Sequence, residues 1–217
     1  MDRKTPLLIL TGPTGSGKTG LALMLSRNFP LEVISADSMQ VYRFMDIATA
    51  KPTKEEQEVL PHNLIDIRDP DEDFNAALFC SLAAVKISEV MKRGRIPLVV
   101  GGTGLYIKAL IYGLAPAPGS SEKLRGYFRD LIREKGLQHV RQILEQLDPA
   151  AAAGINVNDA VRIIRSLEIL FVSGIRPSEV LGSHGFLEPR YESRTVCMMP
   201  DREGLYSAIN NRVHRMM

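Results

Sequence analysis

Eight consecutive residues carry the clearest chemistry in this chain. Gly12-Pro13-Thr14-Gly15-Ser16-Gly17-Lys18-Thr19 fits the spacing G-x-x-x-x-G-K-[ST] without a gap. Residues of these types at this spacing bind phosphate. Glycines let backbone N–H groups turn inward around an anion, and a helix N-terminus adds its positive dipole end. Lys18 can reach the outer phosphates, and the Thr19 hydroxyl can ligate Mg²⁺. The flanks agree with the motif. The apolar run Pro6–Thr11 precedes it as a buried strand, and Leu21, Ala22, Met24 and Leu25 follow at helical spacing. The chain therefore binds a diphosphate or a triphosphate. The motif leaves open which one, and what becomes of it.

A phosphate loop that hydrolyses a nucleotide usually has an Asp at the end of a second strand to hold Mg²⁺. Here the strong strand Ile96–Val100 ends in Gly101-Gly102-Thr103-Gly104, which offers glycines and a hydroxyl but no carboxylate. The acid near the loop is Asp37, after Val33-Ile34-Ser35-Ala36. It could orient Mg²⁺ or accept a proton from a nucleophile in front of the phosphates, or it could simply cap a turn. Thr103 could donate to the same substrate or satisfy its own backbone.

The elements that must position these groups alternate between strand and helix over residues 6–115. This predicts an α/β fold, a phosphate-loop parallel sheet with helices on both faces. Expected strands are 7–11, 32–36, 64–67 and 97–101. One helix runs from the glycine loop to about Asn28. Another runs from Phe74 to Arg93, with Asp73 as its cap and Gly94 past its end. Such sheets bind ligands outside the carboxyl ends of their strands, so Gly12, Asp37 and Gly101–Gly104 can converge on one crevice.

Ala115-Pro116-Ala117-Pro118-Gly119-Ser120-Ser121 marks a boundary by composition. Beyond it the pattern is helical over 122–135, 137–147 and 160–172, with Gly174 and Pro177 closing the last helix. Arg194–Met199 reads as a returning strand, and Pro200-Asp201 opens a final helix. That helix reaches Met217 with no stop signal, as expected of a fragment cut inside a helix. The expected organisation is a core at 1–116, a small all-helical insertion domain at 117–187, and a return to the core at 188–217.

In the insertion, Arg125, Arg129 and Arg133 recur at i, i+4, i+8 and share one face. Arg162 and Arg165 lie one turn apart on a later helix. Such a face can grip a phosphate backbone. The plainer alternative is a solvated surface on which Glu122, Asp130 and Glu134 are counter-charges. His62, His139, His184 and His214 show no metal-ligand spacing.

The 217 residues are 45% hydrophobic and 24% charged, an ordinary soluble composition. The net charge of +2 makes any basic surface a local one. Cys80 and Cys197 show no pairing pattern, as expected in a reducing compartment. The N-terminal apolar strand is too short to cross a membrane. These features predict a cytoplasmic protein with no membrane partner.

Beyond the phosphate loop, several ordered segments carry a resemblance. They are Ile34-Ser35-Ala36-Asp37-Ser38-Met39-Gln40-Val41-Tyr42, Met45-Asp46-Ile47-Ala48-Thr49-Ala50-Lys51-Pro52, His62-Asn63-Leu64-Ile65-Asp66, Val100-Gly101-Gly102-Thr103-Gly104-Leu105-Tyr106 and Asn158-Asp159-Ala160-Val161-Arg162. With Gly12–Thr19, they make the whole chain resemble the tRNA dimethylallyltransferases, also called tRNA isopentenyltransferases. The resemblance implies Mg²⁺-dependent transfer of a dimethylallyl group from dimethylallyl diphosphate. The acceptor is N6 of the adenosine 3′ of the anticodon, and diphosphate leaves.

In that reading Gly12, Pro13, Thr14, Gly15, Ser16, Gly17, Lys18 and Thr19 hold the donor, and Asp37 and Thr103 are catalytic. Asp37, Ser38, Met39, Gln40 and Thr103 match the family's base-contacting positions. Arg125 and Val161, Arg162, Ile163, Ile164 and Arg165 match its tRNA-contacting positions. The partners are then tRNA, through its anticodon stem-loop, and dimethylallyl diphosphate, acting on a monomer. Two departures stand out. The family usually has an Arg one turn before Arg212, where this chain has Ala208. Either Arg212 or Arg215 takes over its diphosphate contact, or activity falls. Family members also continue well beyond this point.

Three other readings compete: a phosphate-loop small-molecule kinase, an adenylate isopentenyltransferase acting on free AMP or ADP, and a nucleotide-sensing RNA-binding module without turnover. The arginine-bearing insertion favours tRNA over a free nucleotide.

Overall fold

The computed structural model describes residues 5–47, 49–184 and 186–216, with the side chains of Ser183, Arg212, Arg215 and Met216 outside the described set. In chain order the elements are β1 (Pro6–Thr11), α1 (Lys18–Ser26), β2 (Leu31–Ser35), α2 (Lys54–Val59), β3 (His62–Asn63), α3 (Ala76–Lys92), β4 (Ile96–Gly101) and α4 (Gly104–Tyr112). There follow α5 (Glu122–Lys135), α6 (Leu137–Leu147), α7 (Pro149–Ala153), α8 (Ala160–Ser173), α9 (Pro177–His184), β5 (Glu192–Cys197) and α10 (Arg202–Met216). Two compact units result. One comprises residues up to Gly113 together with those from Glu188 onward, and the other is Leu114–Leu187.

The first unit is an α/β sheet with strand order β3-β2-β4-β1-β5, and every pairing is parallel. β2 is buried along its whole length and β4 largely so, as expected of strands covered on both faces, whereas β1 buries Leu7, Ile9 and Leu10 and leaves Leu8 exposed. Leu10, Leu31, Val33 and Leu98 pack with Ala22 of α1 and Leu60 into one core. Burying each such leucine contributes about 1.5–3 kcal/mol. The register sets the site: Thr11 pairs with Gly101, and Ser35 pairs with Val100. The chain therefore leaves β1, β2 and β4 at one edge, and the loops carrying Gly12, Asp37 and Thr103 all start there.

The second unit is helical. Phe128 of α5, Val140 and Leu144 of α6, Ala152 of α7, and Ile163 and Leu167 of α8 form its core. α5 is capped by Ser121, whose side chain accepts from the Leu124 N–H, and α8 by Asp159, which accepts from the Arg162 N–H.

Three local expectations fail for physical reasons. The strand expected at 64–67 is instead the short pair His62–Asn63. Leu64 and Asp66 have φ of 64° and 55°, which breaks any extended run. Asn75, not Asp73, caps α3, accepting from the N–H groups of Ala77 and Leu78. Pro177 opens α9 rather than closing α8, since its fixed φ suits the first turn of a helix. Among the described residues α2, α4 and α7 were not anticipated.

Candidate active site

The phosphate loop lies between β1 and α1 and is held tightly. Gly12 has φ 147°, and a Cβ there would sit 2.4 Å from the Met198 carbonyl oxygen, so a side chain is excluded. Ser16 is buried, and its Oγ has no hydrogen-bond partner among the described residues. A buried orphan hydroxyl inside a phosphate loop suits an anion as its missing partner. Lys18 Nζ donates to the carbonyls of Gly12 at 2.9 Å and Pro13 at 2.8 Å, which lays the ammonium across the loop.

Asp37 follows β2. Its Oδ1 accepts from the backbone nitrogens of Met39 at 2.9 Å and Gln40 at 3.4 Å. The turn-capping alternative is thus real for one carboxylate oxygen. Thr103 Oγ1 accepts from the Ser38 N–H at 3.1 Å, and the Thr103 N–H donates to the Ala36 carbonyl at 3.2 Å. Nearby, Tyr106 is buried against Phe79, with ring centroids 4.6 Å apart. Burial pushes its phenol pKa up, and the charges of Tyr42 and Asp37 add to this.

A cleft of about 580 Å³ joins these parts. Thr14, Lys18 and Thr19 line one part of it, and Asp37, Met39 and Gln40 another. Ala208 of α10 also faces the cleft, at the position where the resemblance expects an arginine. Arg212, expected at the diphosphate, belongs to α10, but its side chain lies outside the described set. Thr103 stands beside the Asp37 segment, bonded to Ser38 through its Oγ1.

Gln40 is drawn into the scaffold. Its Oε1 accepts from Ser35 Oγ at 3.0 Å, and its Nε2 donates to the Ala50 carbonyl at 3.0 Å. Sequence reasoning missed Lys51 as a scaffold residue. Its side chain is 7% exposed, and its ammonium meets Asp46 Oδ1 at 2.7 Å, Asp66 Oδ1 at 2.6 Å and the Tyr42 carbonyl at 2.6 Å. Burial pulls the Lys51 pKa down, but Asp46 and Asp66 outweigh it and hold the pKa above the ordinary lysine value. Nothing in its spacing signals this, because its partners lie 5 and 15 residues away. No group of three or more His, Cys, Asp or Glu among the described residues could hold a metal. His62 has a lowered pKa, mainly through burial, and its Nδ1 lies 2.6 Å from the Leu60 carbonyl, a structural role.

In the helical unit the candidate arginines separate into two groups. Arg125 and Arg165 converge on Glu168, which is fully buried. Arg125 reaches it through Nε at 2.9 Å and Nη2 at 3.2 Å, and Arg165 through Nη1. The Ser121 N–H also donates to Glu168, at 2.6 Å. Burial raises the Glu168 pKa, but these donors outweigh it and hold the carboxyl below the usual glutamate range. Sequence reasoning missed Glu168, since a lone Glu on an apolar helix face gives no signal of its partners. Arg129 pairs with Glu122 at 2.6 Å and Arg133 with Asp130 at 2.7 Å, as the solvated-face alternative requires. Arg162 is 73% exposed and lies 3.3 Å from Asp159, and Val161 is 78% exposed. Ile163 belongs to the core, and Ile164 packs against it.

The geometry can be set beside known proteins. The IPP transferase family model matches residues 40–217, and the isopentenyl transferase model matches residues 5–72. A tRNA dimethylallyltransferase of Syntrophotalea carbinolica is 44% identical over all of this chain, which spans 69% of that protein. The crystal structure of the tRNA isopentenylpyrophosphate transferase of Bacillus halodurans is 41% identical, with a TM-score of 0.63. That match covers 98% of this chain and 66% of the other. A eukaryotic dimethylallyltransferase, crystallised acting on tRNA, is 28% identical with a TM-score of 0.80, covering 98% of this chain and 52% of the other. The residues of the phosphate loop, the Asp37 segment and the Thr103 turn thus stand in a chain matched along its whole length, and the protein belongs to the IPP transferase family.

Proposed function

We propose that the cleft binds dimethylallyl diphosphate with its diphosphate on the Gly12–Thr19 loop. The prenyl group then passes to N6 of the adenosine 3′ of the anticodon in tRNA. The reaction class comes with the family: its members are tRNA prenyltransferases, and the chain is an enzyme of that class. The observation that carries the residue roles is the placement of Asp37 and the phosphate loop on a single cleft, with no carboxylate at the end of β4. In prenyl transfer the nucleophile is the adenine amine, so no strand-end acid is needed to activate water.

The adenine must leave its stack to enter the cleft, at a cost of a few kcal/mol. The N6 lone pair attacks the first carbon of the dimethylallyl group. The carbon–oxygen bond breaks, and the diphosphate departs with the electron pair. Asp37 accepts the N6 proton through the carboxylate oxygen that does not cap the turn. Lys18, the backbone amides and Ser16 Oγ stabilise the charge growing on the leaving group.

Mg²⁺ fits this donor set. Thr19 lines the cleft, and Mg²⁺ is commonly completed by substrate phosphates and water rather than by a protein cage. Thr19 would help hold the ion there, and the ion would supply positive charge to the diphosphate. On the helical unit, Arg162, Val161 and the open edges of Arg125 and Arg165 contact tRNA. All these roles fall on one chain, so a monomer suffices. Among the described residues no helix is long and apolar enough to cross a membrane. Cys80 and Cys197 are free, which suits a reducing cytoplasmic setting.

The kinase and free-nucleotide readings are not favoured, since the relatives are named for tRNA. Calorimetry separates them from this one. With Mg²⁺ the chain should bind dimethylallyl diphosphate, and inorganic diphosphate should compete. Tight ATP binding with no affinity for the prenyl donor would return the kinase reading.

A further inference from the structure

Phe44 is 83% exposed and holds φ 63°. A bulky aromatic in the left-handed region is a strained outlier that persists only where its surroundings hold it. Here they do. Arg43 donates from its backbone to the Arg68 carbonyl at 2.7 Å and from Nη1 to Asp69 Oδ1 at 3.0 Å. On the other side, the Met45 carbonyl accepts from Thr49 Oγ1. The Lys51 ammonium gathers the Tyr42 carbonyl and Asp46, and it ties them to Asp66 outside the loop. Ile47, three residues on from Phe44, is 77% exposed, and Met39 is 44% exposed.

The loop thus fixes an apolar tip pointing to solvent, where the chain gains nothing from burying it. Both stems of the loop, at Met39–Gln40 and at Thr49–Lys51, line the cleft with Asp37. The tip therefore belongs to the acceptor side of the site. Enzymes that draw a base out of its stack leave a gap, which apolar side chains fill or stack against. We propose that Phe44, backed by Ile47, stacks on an unpaired base of the acceptor RNA next to the extruded adenine. This inference rests on the tRNA reading above.

The test uses Phe44→Ala, Phe44→Gly and Phe44→Trp. The RNA is an unmodified anticodon stem-loop with 2-aminopurine replacing the base beside the target adenosine. The Ala and Gly variants should weaken RNA binding on the order of tenfold, with the affinity for dimethylallyl diphosphate unchanged. Trp should retain RNA binding. Phe44→Gly should melt at or above the wild-type temperature, because glycine tolerates the left-handed backbone, so its RNA defect is not unfolding. Wild type and Phe44→Trp should change the 2-aminopurine fluorescence, and Phe44→Ala should not. Wild-type RNA affinity in the Ala and Gly variants overturns the stacking role alone. A wild-type chain that binds no RNA overturns the tRNA reading and this inference with it. If the Ala variant loses vesicle or protein binding but keeps RNA binding, the tip serves a different partner.

Discussion

Thr103 Oγ1 accepts a 3.1 Å hydrogen bond from the backbone nitrogen of Ser38, a residue 65 positions earlier in the chain. The bond ties the turn after β4 to the turn after β2 and so fixes the residue next to Asp37. Gly101 permits the approach, since a Cβ there would lie 2.1 Å from the Ala36 carbonyl oxygen. We propose that through this bond Thr103 positions Asp37 by way of Ser38. Thr103→Val should lower the transfer rate by up to about tenfold, the worth of one hydrogen bond, and leave donor affinity unchanged. Thr103→Ser should restore the rate. A Val variant with normal turnover would remove the coupling.

Ser16 leads to an opposed pair of effects. Its orphan Oγ destabilises the free chain by about 1–3 kcal/mol if no partner is supplied. Ser16→Ala should therefore raise the melting temperature of the free protein and weaken binding of dimethylallyl diphosphate. Thermal melts with and without donor measure both. A variant less stable and equally tight would show that the hydroxyl is not a phosphate donor.

Arg162 and Arg129 offer a matched comparison. Both are exposed, but Arg129 meets Glu122 at 2.6 Å, a closer ion pair than the 3.3 Å between Arg162 and Asp159. Arg162→Ala should weaken tRNA binding and reduce its logarithmic salt slope by about 1. Arg129→Ala should change neither. Equal slopes for wild type and Arg162→Ala would place the grip elsewhere.

Glu168 makes the stability of the helical unit depend on pH. Its folded pKa lies below the ordinary value, so its contribution is full above that value, about 4.3. It is lost as pH falls through the folded pKa. Unfolding of the helical unit should be insensitive to pH above about 5 and should ease progressively below about 4. Removing the carboxylate by Glu168→Ala takes the shared acceptor from Arg125, Arg165 and the Ser121 N–H and should cost about 1–3 kcal/mol, since both arginines are partly solvated. Glu168→Gln should flatten the acid slope. An unchanged slope would assign the acid sensitivity to other carboxylates.

Much of this was legible in the sequence because it is local. The phosphate loop, β1, β4 and the limits of α5, α6 and α8 follow from periodicity and caps within a few residues. Asp37 and Gly12 were expected at strand ends, and the parallel register brings them to one edge. What escaped depends on long-range partners. Lys51 and Glu168 are buried ions defined by groups up to 47 residues away. The bonds by which Gln40 braces the Ala50 segment and Thr103 holds Ser38 were not legible either, because those partners lie 10 and 65 residues away. β3 was misplaced because Leu64 and Asp66 take positive φ, which neither residue type signals.

The central claim is prenyl transfer to tRNA with Asp37 as the proton acceptor. The most direct test incubates wild type and Asp37→Ala with Mg²⁺, labelled dimethylallyl diphosphate and unmodified tRNA, with AMP in a parallel reaction. Wild type should label tRNA and not AMP, and Asp37→Ala should be slower by about 10²–10⁴ while still binding the donor. Label in AMP alone, or an Asp37→Ala variant that transfers at the wild-type rate, would contradict the account.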